Sequence, residues 1–451
     1  MALLFLVYFA VPKGAKNYVL LAFSMLFYAW GEPKYAILMV VSIMSGWVFA
    51  LLIEKFNGTK KAKLFLWLAN IVLFGFLAVF KYADFAISTI NGIFSAEIPL
   101  LKLALPIGIS FYTFQIVSYV IDVYRGEVEA QKNPFTLATY VALFPQLIAG
   151  PIVRYQDVNN ELVNRKHTTE NFAAGAMRFA AGLAKKVLIS NALGELCEIY
   201  KTSTEKTVLF TWIYAIAYAF HIYFDFSGYS DMAIGLGRIF GFKFLENFNY
   251  PYIARSVTEF WRRWHISLST WFRDYVYIPL GGNRCSTARH IFNICVVWAF
   301  TGLWHGAGFN FIMWGVWFAL LLIIEKFFLG KLLKKITPVA YIYTMLAVIF
   351  SWILFDAATL GDALVRIGNL FGAGGIPAVG TLDVYYLKSY AVVLIIAAIG
   401  STPLPKKIYN KLMDKAPVLT WVQPVLAVLS LVVCSAYLID GSFNPFIYFR
   451  F

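Results

Sequence analysis

Tyr35-Ala-Ile-Leu-Met-Val-Val-Ser-Ile-Met-Ser-Gly-Trp-Val-Phe-Ala-Leu-Leu-Ile53 runs for nineteen residues without a charge. As a helix this stretch is about 28 Å long, close to the ~30 Å hydrocarbon thickness of a bilayer. Backbone in hydrocarbon must satisfy its own hydrogen bonds, so a run of this kind reads as a membrane helix. Similar runs lie on both sides of it: Tyr18 to Trp30, Leu64 to Phe80, Leu103 to Ile121, Phe135 to Ile152, Phe172 to Leu196, Val208 to Phe226, Ile291 to Leu303, Gly306 to Ile324, Val339 to Phe355, Tyr386 to Gly400 and Val418 to Leu438. Together they predict an all-α, polytopic transmembrane helical bundle with about eleven spans. The run from Ile291 to Leu303 is too short to cross. Re-entrant or broken helices and interfacial helices are therefore expected around a central site, because irregular backbone at membrane depth is tolerated only where protein or a water-filled cavity surrounds it.

Composition agrees with this class and excludes others. Hydrophobic residues make up 60% of the 451 and charged ones 14%, against roughly 25% charged in soluble domains. The 27 Tyr and 13 Trp suit interfacial aromatic belts. The net charge of +14 sits in short connectors, not in a tail or nucleic-acid motif. It reads as topology signal and anionic-lipid contact, with no nucleic-acid partner. Cys197, Cys285, Cys295 and Cys434 form no C-x-x-C pair, so neither a disulfide framework nor a metal site is expected. Ala2 to Val11 lacks a cleavage pattern and reads as the remnant of a first span.

The connectors Glu54 to Lys63, Lys326 to Lys335 and Thr402 to Lys415 carry four Lys each, which predicts a cytoplasmic position. The segment Asp356 to Asp383, with one Arg and three Asp, and the tail after Leu438 should face outward. No repeat or linker divides the chain, so residues 1–451 read as one membrane domain. Its chemistry-bearing motifs fall at about 104–325, and peripheral helices at 1–100 and 338–440.

Three constellations stand out. His305 lies in Thr301-Gly-Leu-Trp-His-Gly-Ala-Gly-Phe-Asn310, flanked by glycines in an otherwise apolar tract. Glycine permits close approach of backbone or ligand. An ionisable group at such depth is expensive and is a functional hypothesis by default, and imidazole exchanges protons near neutrality. A structural or proton-relay role is the alternative. Ser230 to His290 holds eight Lys or Arg and thirteen aromatics, too polar to span and too aromatic for a free loop. Within it Trp261, Trp264, His265, Leu268, Trp271 and Phe272 follow helical spacing, with Arg255, Glu259 and Arg263 four apart on another face. This predicts an interfacial helix that is either a headgroup-level amphipath or a wall of the site. Third, His221, Asp225, Ser227, Tyr229 and Asp231 close an apolar run. His221 and Asp225, one turn apart, are placed to pair in a polar knot that fixes helix packing. Nothing has metal-ligand spacing. His167 and His290 lie in polar connectors and read as solvated.

Six segments then carry a resemblance: Pro106-Ile-Gly-Ile-Ser-Phe-Tyr-Thr-Phe-Gln115, Phe144-Pro-Gln-Leu-Ile-Ala-Gly-Pro151, Phe224-Asp-Phe-Ser-Gly-Tyr-Ser-Asp231, Glu246-Asn-Phe-Asn-Tyr-Pro-Tyr252, Phe260-Trp-Arg-Arg-Trp-His-Ile-Ser-Leu-Ser269 and Gly302-Leu-Trp-His-Gly306. In this order the chain resembles the membrane-bound O-acyltransferase superfamily. It looks most like the bacterial branch that O-acetylates exported polysaccharides, and less like the branch that transfers D-alanine to teichoic acid. The resemblance implies that His305 is the essential histidine and His265 a second catalytic position. Arg262, Arg263, Trp264, Trp304, Asp225, Ser227 and Asn310 would bind or support. It implies no permanently bound cofactor, a cytoplasmic acyl-thioester donor such as acetyl-CoA, a polysaccharide acceptor and an extracytoplasmic acetyltransferase partner, in a bacterial inner membrane. A transporter or flippase is the competing class, since broken helices and intramembrane polar groups also mark carriers.

Overall fold

A computed structural model describes residues 1–148, 150–416 and 421–440. Every regular element among them is a helix. Seven are long and apolar enough to cross a membrane: Pro33–Lys55, Lys60–Phe94, Val208–Ile239, Phe309–Lys335, Thr337–Asp356, Thr381–Gly400 and Val422–Ile439. The chain is thus a multi-pass membrane protein. The remaining apolar runs are helical too, but short, broken or mixed. Pro106 and a left-handed Gly108 (φ 75°) delay one helix to Ile109–Arg125. Pro145 stands where another divides into Pro134–Ala142 and Phe144–Leu147. A π-turn at Lys185–Ser190 interrupts Thr169–Ala184 and Asn191–Thr202. The expected short run at Ile291 is a correction: Ser286 caps a nineteen-residue helix, Thr287–His305. Polar residues below Ile291 extend it, and His290, expected to be solvated, is buried and bonds Tyr277 Oη at 2.9 Å. The outward tail beyond residue 440, and the start of the run at Val418, lie outside the described residues.

The chain forms two compact units, residues 1–175 with 236–245, and residues 176–235 with 246 onward. In the first, Gly46 lets Pro33–Lys55 and Ile109–Arg125 approach so closely that a Cβ there would lie 2.2 Å from Ile116 Cγ2. The 109–125 helix is buried along most of its length, while residues such as Ile37, Trp67 and Ile71 on its neighbours stay exposed as a lipid-facing surface. His167, expected to be solvated, is half-buried and bonds Tyr8 Oη at 2.9 Å.

In the second unit Thr287–His305 and Phe309–Ile324 form a hairpin turning at Gly306–Gly308. Gly302 and Gly315 bring the two backbones into contact: a Cβ on either would sit 2.5 Å from a carbonyl oxygen of the opposite helix, Phe311 O or Trp298 O. Small residues at crossing points are how helices pack where no hydrophobic effect drives them together. Thr337–Asp356 packs beside the hairpin. Asp356 fixes its end, accepting from Tyr214 Oη, Lys201 Nζ at 2.8 Å and Arg366 at 3.2 Å.

Candidate active site: two histidines joined by an indole

His305 is the last helical residue before the hairpin turn and is buried. Gly306 continues in extended conformation, and a Cβ there would fall 2.2 Å from the Phe311 ring, so Phe311 closes over the turn. Asn310 Nδ2 donates to Ala357 O at 3.0 Å, tying the turn to the chain just after the 337–356 helix. The His305 ring is enclosed by Trp304, Trp314 and Phe355 at centroid distances of 4.8, 4.9 and 5.2 Å. Neither Trp314 nor Phe355 was marked by the sequence reading, since they come from helices whose packing the sequence does not display.

Trp304 also reaches His265, 5.9 Å away by ring centroids. The predicted continuous helix around His265 is corrected here. Helix Val257–Trp261 ends, Arg262–Trp264 turn, and His265 adopts the left-handed region (φ 44°) before Ile266–Phe272 begins. All six residues of the supposed headgroup face are buried, so they form protein interior, with Trp264 packed on Phe260, Phe248 and Trp352. The distortion has a cause in the motif starting at Glu246: Ile266 N donates to Asn247 O at 3.0 Å and Asn249 N donates to Arg263 O at 2.9 Å. His265 Nδ1 lies 3.2 Å from Asn247 Oδ1. Burial pushes the His265 imidazole down to about 3, so it is neutral at physiological pH. Asn247, which contacts His265 directly, was not marked by the sequence reading, although its segment was.

The two arginines separate. Arg263 pairs with Glu259 at 2.8 Å and donates to Asn249 O at 3.0 Å. Arg262 has no ion-pair partner among the described residues and lines two clefts. One, of about 960 Å³, is bordered by Arg255, Arg262, Lys326, Lys331 and Lys334. The other, of about 670 Å³, shares Thr258, Arg262 and Lys326, adds Arg284 and His290, and reaches Trp298. From Trp298 aromatic contacts continue to Trp314 (5.9 Å) and on to His305 (4.9 Å). A cationic mouth is thus connected to the buried histidine by a wall of indoles.

Asp225 is buried and ion-paired with Lys186, with Ser190 bridging toward His221 at 2.9 Å from Nδ1. The cation for Asp225 therefore comes from a different helix from the His221 partner expected. Ser227 is buried on the same helix, and between the two Phe226 packs on His265 at 4.7 Å.

A hairpin-borne, aromatically enclosed histidine close to the buried imidazole of His265, reached from a cationic cleft, is a constellation suited to proton transfer from a hydroxyl during acyl transfer. Comparison with known proteins agrees. Residues 69–359 match the model of the MBOAT, membrane-bound O-acyltransferase family, and the chain belongs to that family. It is 42% identical over 373 residues to the probable alginate O-acetylase AlgI of Pseudomonas aeruginosa, covering 81% of this chain and 72% of that protein. It is 35% identical over 416 residues to the peptidoglycan O-acetyltransferase of Helicobacter pylori, covering 82% and 78%. With the teichoic acid D-alanyltransferase of Bacillus subtilis the match is 30% over 237 residues, only 49% of this chain and 59% of that one.

Proposed function

We propose that this protein O-acetylates hydroxyls of an exported cell-surface polysaccharide, directly or through an extracytoplasmic acetyltransferase partner, in a bacterial inner membrane. The observation that carries the reading is His305 at the hairpin turn, enclosed by three aromatics, with His265 on the far side of Trp304. His305 takes the proton from the attacking hydroxyl as its oxygen bonds to the thioester carbonyl. The C–S bond then breaks, and the imidazolium returns the proton to the departing thiolate. Such a base contributes ~10²–10⁴-fold.

The donor is acetyl-CoA or another acyl thioester. The guanidinium of Arg262, without an ion-pair partner among the described residues, and the lysines of the two clefts support this, since cations suit its phosphates. Lys326 to Lys334 also fall in the basic end of the Phe309–Lys335 helix, whose charge favours the cytoplasmic side, where such thioesters are made. The more extensive similarity to O-acetylating relatives favours acetyl over D-alanyl.

The test is His305→Ala in cells lacking the native copy, with alkali-released acyl groups identified by mass spectrometry. Acetate should vanish from the polymer while the variant still accumulates in the membrane. Undiminished acetate would refute the role of His305, and released D-alanine would refute the acyl group. Transport of polymer without any acyl loss would favour the carrier reading.

A further inference from the structure

Asn247 organises His265 in a way that determines which ring nitrogen is available. Its Oδ1 accepts the Ser267 backbone N–H at 3.2 Å and the Ser267 hydroxyl at 2.9 Å. A main-chain N–H can only donate, so the amide atom facing it is the carbonyl oxygen, and the orientation of the Asn247 side chain is fixed. The same oxygen lies 3.2 Å from His265 Nδ1. An oxygen acceptor there requires the proton on Nδ1, which leaves the lone pair on Nε2.

Nε2 of this fully buried ring has no hydrogen-bond partner among the described residues. Buried acceptors are normally satisfied, and an unmatched one calls for an explanation. Neighbouring bonds hold the arrangement, including the left-handed backbone at His265: Asn247 also accepts Ile266 N–H through its main-chain oxygen at 3.0 Å. A non-glycine residue keeps that conformation only where its surroundings enforce it.

We propose that Asn247 is a positioning residue that locks His265 in the Nδ1–H tautomer, so that Nε2 is presented as an acceptor to an O–H or N–H group of the substrate bound beside Trp304. The proposal rests on the reading that His265 and His305 belong to one acyl-transfer site. Phe226 from the long helix, Asn247 from the loop, Ser267 from the following helix and Trp304 from the hairpin face the ring, and burial alone governs its titration. With no charged group acting on the ring among the described residues, tautomer choice depends on Asn247 and Ser267.

The experiment is nitrogen NMR of the full-length protein in nanodiscs with labelled histidine, combined with kinetics. In the wild type at neutral pH, His265 should give a protonated Nδ1 and a pyridine-type Nε2. Asn247→Ala should mix the tautomers and lower kcat by about 10²-fold. Asn247→Asp retains an acceptor but adds a carboxylate that favours the imidazolium. Its activity should therefore be lost toward low pH and recover as pH rises, a limb the wild type lacks at the same position. An Asn247 with only a structural role would reduce yield or thermal stability and leave the pH profile unchanged.

A wild-type His265 protonated on Nε2 would overturn the tautomer assignment outright. The expected tautomer together with full activity in His265→Ala would instead overturn the parent reading that His265 serves the site, and with it the ligand assignment.

Discussion

The imidazole of His265 meets the indole of Trp304 at an interplanar angle of 60°, with 5.9 Å between ring centroids. The same indole lies 4.8 Å from His305 at 82°. One side chain therefore sets the spacing of both imidazoles. Trp304→Leu should lower kcat for acyl transfer by about 10²-fold, the scale of a ~1 Å misplacement of a reacting group. Trp304→Phe, which keeps a ring, should lose less. Initial rates in proteoliposomes decide, and a leucine variant with wild-type kcat would remove Trp304 from the mechanism.

The turn after His305 makes a sharper stability prediction. Gly306→Ala places a methyl 2.2 Å from the Phe311 ring, and overpacking of this kind costs about 1–3 kcal/mol. The apparent melting temperature in detergent should fall. In a double-mutant cycle with Phe311→Ala, the second change should offset part of the first. Strict additivity would show that Phe311 does not enforce the glycine.

Lys186 and Asp225 form a buried ion pair. Removing one partner strands a charge, so Lys186→Met should destabilise by about 3–5 kcal/mol. Lys186→Met with Asp225→Leu should recover much of that loss, as apolar replacements of buried pairs commonly do. Detergent stability of the three proteins measures it. A double variant weaker than either single change would argue that the charges serve something beyond packing.

His265 gives the pH dependence its sign. Its folded value, about 3, lies below the ordinary imidazole value of ~6.5. Between these values the unfolded chain binds a proton that the folded protein does not, so stability falls as pH drops from about 6.5 toward 3. Above 6.5 this contribution is fully present. Denaturation of wild type and His265→Gln at successive pH values should show a shallower acid slope in the variant. Equal slopes would mean the ring is protonated in the folded protein.

Much of this fold was legible because hydrocarbon leaves the backbone few choices. A nineteen-residue uncharged run such as Tyr35 to Ile53 has no alternative to a helix. His305 was legible for a related reason, being an ionisable side chain among glycines in an apolar tract. His265 was legible as a residue but not as a shape. Its tryptophan neighbours have the spacing of a continuous helix, yet hydrogen bonds to Asn247, eighteen positions upstream, break it at φ 44°. Spacing reports local periodicity and is blind to such long-range bonds. The aromatic enclosure of His305 was hidden for the same reason, because Phe355 arrives from fifty residues downstream. Asn310, expected from the resemblance to bind or support, has its amide fastened to Ala357 O.

With the donor bound as proposed, the 287–305 helix would also work as a ruler. His290 lines the cationic cleft near one end, and His305 stands at the other. Fifteen residues of helix separate them by about 22 Å. A donor whose phosphates are held at the level of His290 must deliver its carbonyl across that gap, past Trp298 and Trp314. A compact activated acid such as an acyl phosphate is far too short, whereas an acyl group on a long flexible stalk can reach. Helix length would thus select the donor by reach, before any contact recognises the acyl group itself.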